Sequence, residues 1–340
     1  MKLKLKNNIG HKIIKRNLDL DYSKAFVLLL VFAVFVITAF RLFGLDPDNE
    51  TYRYIIQQNI SDDEKLYEVT FIFFRQINGI FFNDPLFVFF IYALLAFSVK
   101  AYVFLAYSKA PLLSFLVFIC GFALLHEYTQ IRAAVAVGVF LTSISDLQKG
   151  DFYRYILKVL IAIAFHWSSI ILVPLYFLVR NVSLNKHILL LVVIVLFSFS
   201  SLLLNIDLLN AVNLYLSSRE GVNPFGPVVE FKIFNLLSLS QLMIVLVCFG
   251  LHSYKHNTFL DKTEITMLKI LAISIGAYFA FASIGLVVLA FRVSAYLNVV
   301  QILFIPAVAI KFRPTYFSIV LVLLYFSIVL NHMINTILLN

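Results

Sequence analysis

The sequence predicts an all-α, polytopic membrane protein with about 10–11 transmembrane segments, and three observations carry that reading. Of 340 residues, 62% are apolar and only 13% charged, where a soluble domain carries about 25% charged residues. The apolar excess gathers into runs of membrane-crossing length. A span needs ~20 residues, so ten would use about 200, which leaves little room for a separate soluble domain. Finally, seven basic residues (Lys2, Lys4, Lys6, Lys12, Lys15, Arg16 and Lys24) precede the first apolar run, as cytoplasmic flanks do. Residues 1–340 therefore read as a single integral membrane domain. A soluble globular enzyme, a disordered chain and a disulfide scaffold are excluded. The net charge of +9 is spread over short loops, so nucleic acid is not an expected partner. Cys120 and Cys248 lie within apolar runs and read as packing residues.

The elements follow in order. Residues 1–24 form a basic cytoplasmic tail, too long for the n-region of a cleavable signal. A first span over about 24–40 carries the chain outward. Residues 41–85 form a first outer loop, with eight acids against four bases, as expected opposite a positive inside. Within it, residues 68–82 are apolar and amphipathic, which predicts a helix lying at the outer interface. Spans near 86–106, 112–128 and 132–146 follow, with Lys109 and Lys149 inside. Residues 152–179 are either one long helix or two short ones broken at Phe165-His166-Trp167-Ser168-Ser169. Only a break that turns the chain back puts Arg180, Lys186, Lys255, Lys262, Lys311 and Arg313 inside, so the broken pair is favoured. From Arg154 to His166 the helix rises only ~18 Å, which puts His166 within the outer leaflet. Later spans fall near 187–204, 233–253, 266–290, 293–310 and 315–337, with a second outer loop over 205–232. Ala134, Gly138 and Thr142 form a small-residue face of the kind that packs helices.

Polar and ionisable residues in or beside apolar spans are costly and therefore mark candidate sites. On this topology Arg41 ends the first span, Gln130 and Arg132 sit where the third meets the fourth, and His166 lies at the helix break. Arg292 is expected where the 266–290 span meets the next one, and all of these face outward. Arginines at an outer leaflet suit phosphate oxygens through bidentate hydrogen bonds, and a lipid pyrophosphate presents such oxygens at that depth. Headgroup snorkelling is the structural alternative. His166 is the candidate base for a sugar hydroxyl. Ser168 and Ser169 are expected to cap a half-helix aimed at the outer cavity. In the first loop, Asp46 or Glu68 competes with His166 as base, and Tyr52 is a sugar-stacking candidate. No cofactor is expected, a divalent cation at Asp46 and Asp48 being the lesser alternative. Arg219, in the second outer loop, is placed to close over substrate.

The order Phe40-Arg41, Gly44, Asp46, Tyr52, Glu68, then Ile131-Arg132-Ala133-Ala134, a basic turn at 149–153 and Phe165-His166-Trp167-Ser168-Ser169 leading to Pro174 resembles the EpsG-like polysaccharide polymerases. That group includes many O-antigen polymerases of the Wzy type. The resemblance covers residues 25–180 well, and the remainder by span pattern with Arg292 and Tyr296. Asp46 is followed by Pro47 where an aromatic is expected. The resemblance implies a multispan glycosyltransferase of the GT-C type in the bacterial inner membrane. Such an enzyme joins undecaprenyl-pyrophosphate-linked oligosaccharides on the periplasmic face, as in lipopolysaccharide biosynthesis. A chain-length regulator, a flippase and membrane lipids are its implied partners. The rival readings are an O-antigen ligase, a multispan O-acyltransferase and, in a different class, a lipid-linked oligosaccharide flippase or transporter, which needs charges along a path open to both sides.

Overall fold

The computed structural model describes residues 22–41, 47–57, 67–203 and 233–337. Among these the chain is all-α: α1 (Tyr22–Ala39), α2 (Pro47–Gln57), α3 (Val69–Phe81), α4 (Pro85–Ala106), α5 (Pro111–Thr129), α6 (Ile131–Lys149), α7 (Phe152–Phe165), α8 (Leu172–Asn181), α9 (Leu184–Leu203), α10 (Leu236–Tyr254), α11 (Lys262–Ser283), α12 (Val287–Asn298), α13 (Gln301–Ala309) and α14 (Thr315–Ile337). Seven are single helices long and apolar enough to cross a membrane, and two bent pairs could each supply one more. The protein is thus an all-α polytopic membrane protein, as its composition demands. The described residues pack as two compact units, one of Met1–Gly138 with Ile305–Asn340 and one of Val139–Phe304.

In the first unit, proline and a cap start α4. Pro85 occupies the first turn, where its missing N–H costs nothing, and the Asp84 side chain accepts from the Leu86 amide at 3.0 Å. Helix α3 begins at Glu68, whose carbonyl accepts from Phe71 and Ile72; this is the amphipathic helix expected after Glu68. Aromatic rings join the elements: Phe35 of α1 on Phe90 and Phe97 of α4, and Phe104 of α4 on Phe118 of α5. Helix α5 is α-helical to Phe118 and then continues as a π-helix over Ile119–Thr129, a form found mostly in short pieces at functional sites. The Phe326 ring of α14 lies where a Cβ on Gly121 would stand, within 2.7 Å. Gly138 does the same for α6 on α4, its Cβ position being 3.2 Å from Val99. The small-residue face thus packs helices, as expected.

In the second unit the break at His166 turns the chain back. His166 is extended (φ −156°, ψ 120°), and a 3-10 turn over Trp167–Ile171 leads into α8. Phe152, at the start of α7, has its ring 5.1 Å from that of Tyr176 on α8. The Tyr176 hydroxyl donates to the Gly150 carbonyl at 2.8 Å. Two ends that meet this way form a hairpin, which resolves residues 152–179 in favour of the broken pair. Each arm is short: α7 has 14 residues, ~21 Å of rise against a hydrocarbon core of about 30 Å. Helix α11 packs on α9 and α12, and reciprocal capping boxes start α10 (Asn235 with Ser238) and α11 (Asp261 with Glu264).

One boundary departs from the sequence expectation. The span expected over 266–290 ends as α11 at Ser283. Gly285 then adopts φ 84° and the Leu286 amide closes back on the Phe281 carbonyl at 2.9 Å. This is a glycine-terminated helix end, hidden in a run where hydropathy never falls. The chain restarts as α12 and bends by 50° into α13.

Candidate functional site

The first unit gathers three of the predicted site residues. Arg132 stands in the first turn of α6 and donates through Nε to the Tyr52 hydroxyl at 3.1 Å and through one terminal nitrogen to Glu68. Its guanidinium carbon lies 5.4, 5.8 and 5.2 Å from the ring centres of Tyr52, Tyr67 and Phe71, close enough for cation–π attraction. Sequence-distant elements thus meet: α2 supplies Tyr52, the start of α3 supplies Glu68, and α6 supplies the cation. Glu68 is 2% exposed and Arg132 20%. A guanidinium carries five N–H donors. Among the described residues two of Arg132's are used, so three remain for a ligand. The α6 N-terminus adds a partial positive charge at the same place.

Arg41 is 4% exposed, and its guanidinium is directed at the protein itself. Nε donates to the Thr38 carbonyl at 2.9 Å and one terminal nitrogen to the Glu127 carbonyl at 2.9 Å. The other donates to the Tyr128 carbonyl. The last two acceptors end the π-helix, where carbonyls lack partners within the helix and a cation is favoured. Phe89 and Tyr128 flank the guanidinium at 4.9 and 5.0 Å. Arg41 therefore caps the segment that leads into Arg132. Gln130, half-buried, is the junction residue itself, its amide closing on the Leu125 carbonyl at 3.0 Å.

Sequence reasoning missed a buried ion pair beside these groups. Lys100, in the middle of α4, pairs with Glu127 on the π-helix, both side chains being 1% exposed. Its ammonium also donates to the Ala134 carbonyl at 2.7 Å and lies 5.6 Å from the Phe118 ring. The signal was present in the sequence, since a lysine inside an apolar run is a functional hypothesis by default. A search confined to span ends passes over it.

In the second unit, His166 is half-buried at the helix break. Its amide bonds the Ala162 carbonyl at 2.9 Å and its own carbonyl accepts from the Ser169 amide at 3.0 Å. The serines do not cap α8, contrary to expectation: neither the 3-10 turn nor α8 has a side-chain cap. Ser169 is buried and donates to the Ala162 carbonyl at 3.1 Å. Its one proton is then spent, so the Tyr296 hydroxyl, 2.7 Å away, donates to it. Tyr296 thereby pins the break rather than standing open to a ligand. Ser168 is half-buried beside it. Arg292 lies within α12 on an exposed face, not at a junction between spans, because α11 ends early at Gly285. Asp46, Arg219 and the side chain of Asp48 lie outside the described residues, as does the second outer loop. Among the described residues no three His, Cys, Asp or Glu side chains stand together as a metal site.

Fold and geometry together define an all-α integral membrane protein that offers a partly exposed arginine, held by a carboxylate and a phenol, at a helix N-terminus. The family model of the EpsG family matches residues 24–339, nearly the whole chain, and the protein belongs to that family. No curated protein and no solved structure matches it.

Proposed function

We propose that this protein is a membrane glycosyltransferase that polymerises undecaprenyl-pyrophosphate-linked oligosaccharide repeat units into O-antigen or a similar surface polysaccharide. Membership of the EpsG family supports a membrane polysaccharide polymerase. The observation that carries the finer reading is Arg132, with three N–H donors left for an anion at the start of α6. In the reaction, an acceptor sugar hydroxyl attacks the anomeric carbon of the donor chain. The bond from that carbon to the pyrophosphate oxygen breaks, and the pyrophosphate leaves with the electron pair. Arg132 and the α6 amides stabilise the charge that grows on the leaving oxygens, the electrostatic work that usually dominates such catalysis. Tyr52, buried against Phe71 and Phe89, fixes the guanidinium through its hydroxyl rather than stacking on a sugar as its sequence position suggested. The acceptor proton needs a base. Glu68 is already committed to Arg132; His166, with Asp46 as competitor, is proposed as that base from the sequence pattern and the family resemblance alone. Arg41 supports the site by capping rather than by binding, and Arg292 and Arg219 remain candidates for further phosphate contacts. The basic N-terminal tail supports an inner-membrane protein with a cytoplasmic N-terminus and a periplasm-facing site. A chain-length regulator and a flippase are its proposed partners.

The test is polymerisation of purified lipid-linked repeat units, followed on a gel. Arg132→Ala is expected to abolish the ladder and His166→Ala to reduce it at least about 100-fold, the usual contribution of general base catalysis. A wild-type ladder from Arg132→Ala removes the pyrophosphate assignment. Product that appears only on a lipid core acceptor makes the protein a ligase instead.

A further inference from the structure

We infer that Lys100 and Glu127 are positioning residues for the anion site: their buried pair holds the π-helix terminus in the geometry that delivers Arg132. The inference rests on the proposal that Arg132 binds the pyrophosphate. Three observations combine. First, Glu127 and Lys100 are each 1% exposed, a pair buried more deeply than Arg132 with Glu68 or Lys158 with Asp146. A buried pair is weak evidence for stability, since apolar residues of like volume often serve as well, so a role in specifying geometry is the better account. Second, the pair ties three elements at one point. Lys100 comes from α4, Glu127 from the π-helix, and the ammonium's second acceptor is the Ala134 carbonyl in α6. Gly138 permits this, because α4 packs so closely there that a Cβ would meet Val99 at 3.2 Å. Third, only Tyr128, Thr129, Gln130 and Ile131 separate Glu127 from Arg132.

The π-helix makes the link directional. Each of its rings holds one residue more than an α-helical ring, and Gln130 closes on Leu125, five residues back, at 3.0 Å. If Ile119–Thr129 relaxed to α-helix, every later residue would leave at a different angle. Arg132 would then rotate away from Tyr52 and Glu68. Arg41 fastens the carbonyls of Glu127 and Tyr128, while the Lys100 pair fastens the Glu127 side chain. The backbone and the side chain of one residue are thus held by two different cations, immediately before the arginine that faces the ligand.

The experiment uses the full-length protein in detergent, with decaprenyl pyrophosphate as the probe and its dissociation constant as the readout. Glu127→Gln keeps the shape and removes the charge, and it carries the test where Lys100→Met fails to purify. Each is expected to weaken binding roughly ten- to a hundredfold, as displacing a binding group by about 1 Å does. Lys100→Arg is expected to restore binding to within about threefold. In an Arg132→Ala background neither change should weaken binding further, because residues acting through one group are not additive. Losses that add to that of Arg132→Ala overturn the inference, as do wild-type binding by Glu127→Gln and failure of Lys100→Arg to rescue. Wild-type binding by Arg132→Ala alone overturns the pyrophosphate reading itself, and this outcome is distinct from the others.

Discussion

Arg41 separates a ligand from a scaffold, and the difference is measurable. Its sequence position at the end of α1 suggests a phosphate ligand, whereas its geometry makes it the cap of the π-helix. Removing it with Arg41→Ala strips charge-assisted hydrogen bonds from the carbonyls of Thr38, Glu127 and Tyr128. Each such bond contributes about 1.5–3 kcal/mol in isolation. The three share one charge and do not add in full, so the loss is taken as about 3–6 kcal/mol, that of two such bonds. At ~2–4 °C per kcal/mol, the lower figure lowers the melting temperature by roughly 6–12 °C. Arg41→Lys keeps the charge but lacks the planar fork that reaches several carbonyls, and it should fall between the two. Unfolding in detergent can be followed with a thiol-reactive dye, because Cys120 and Cys248 are free and set within helices α5 and α10. Donor binding should fall together with stability, because Arg41 fastens the same π-helix terminus as the Lys100 pair, but by less than for Arg132→Ala, which removes the binding group itself. An Arg41→Ala protein that melts within about 2 °C of the parent while losing donor affinity refutes the capping role and restores Arg41 as a ligand.

Two further outcomes are expected. Glu68→Gln keeps an acceptor for Arg132 but removes the negative charge beside it, so decaprenyl pyrophosphate should bind about tenfold more tightly, a difference of roughly 1.4 kcal/mol; weaker binding in a titration contradicts the placement of the ligand on Arg132. Gly150 has φ 80°, and a Cβ there would stand 2.7 Å from the Arg180 guanidinium. Gly150→Ala should therefore destabilise the α7–α8 hairpin by about 1–3 kcal/mol, seen as a lower melting temperature; an unchanged one contradicts the strain.

How much was legible in the sequence follows from what each feature depends on. Composition sets the class and the basic flanks set an orientation, because both are sums over many residues. The break at His166 was readable because a short apolar run, two serines and the loop charges all conflict with one straight helix. The amphipathic helix after Glu68 was readable from its periodicity. Arg292 was misplaced because Gly285 ends α11 by backbone conformation alone, inside a run whose hydropathy stays high. The capping of α8 by Ser168 and Ser169 failed because Ser169 had a tertiary partner, Tyr296, 127 residues away in sequence, which no local pattern reveals. The Lys100–Glu127 pair was half legible: each residue shows as a charge in an apolar run, but only the fold shows that they meet. The π-helix left no trace in periodicity, since its apolar residues surround the whole segment.

Donor accounting then sorts the cations of the first unit by role. Arg41 donates to three carbonyls of its own chain and is 4% exposed. Lys100 donates to a carboxylate and a carbonyl and is 1% exposed, and aromatic rings flank both cations. So buried, neither is open to an incoming anion. Arg132 differs in being 20% exposed, with three N–H donors unused among the described residues. A bare arginine at the centre of a span costs roughly 2.5–3.5 kcal/mol even on the mildest scale, and one half-buried at a span end still gains from a resident counter-charge. Glu68 supplies it without filling the guanidinium. On the proposed function, a pyrophosphate binds the three donors unused among the described residues while Glu68 and Tyr52 keep the side chain oriented, so the site need not evict its own partner to admit the substrate. On the proposed function, the repulsion between Glu68 and a bound diphosphate also limits how tightly the spent lipid is held once its sugar chain has left, and turnover gains from that weakness.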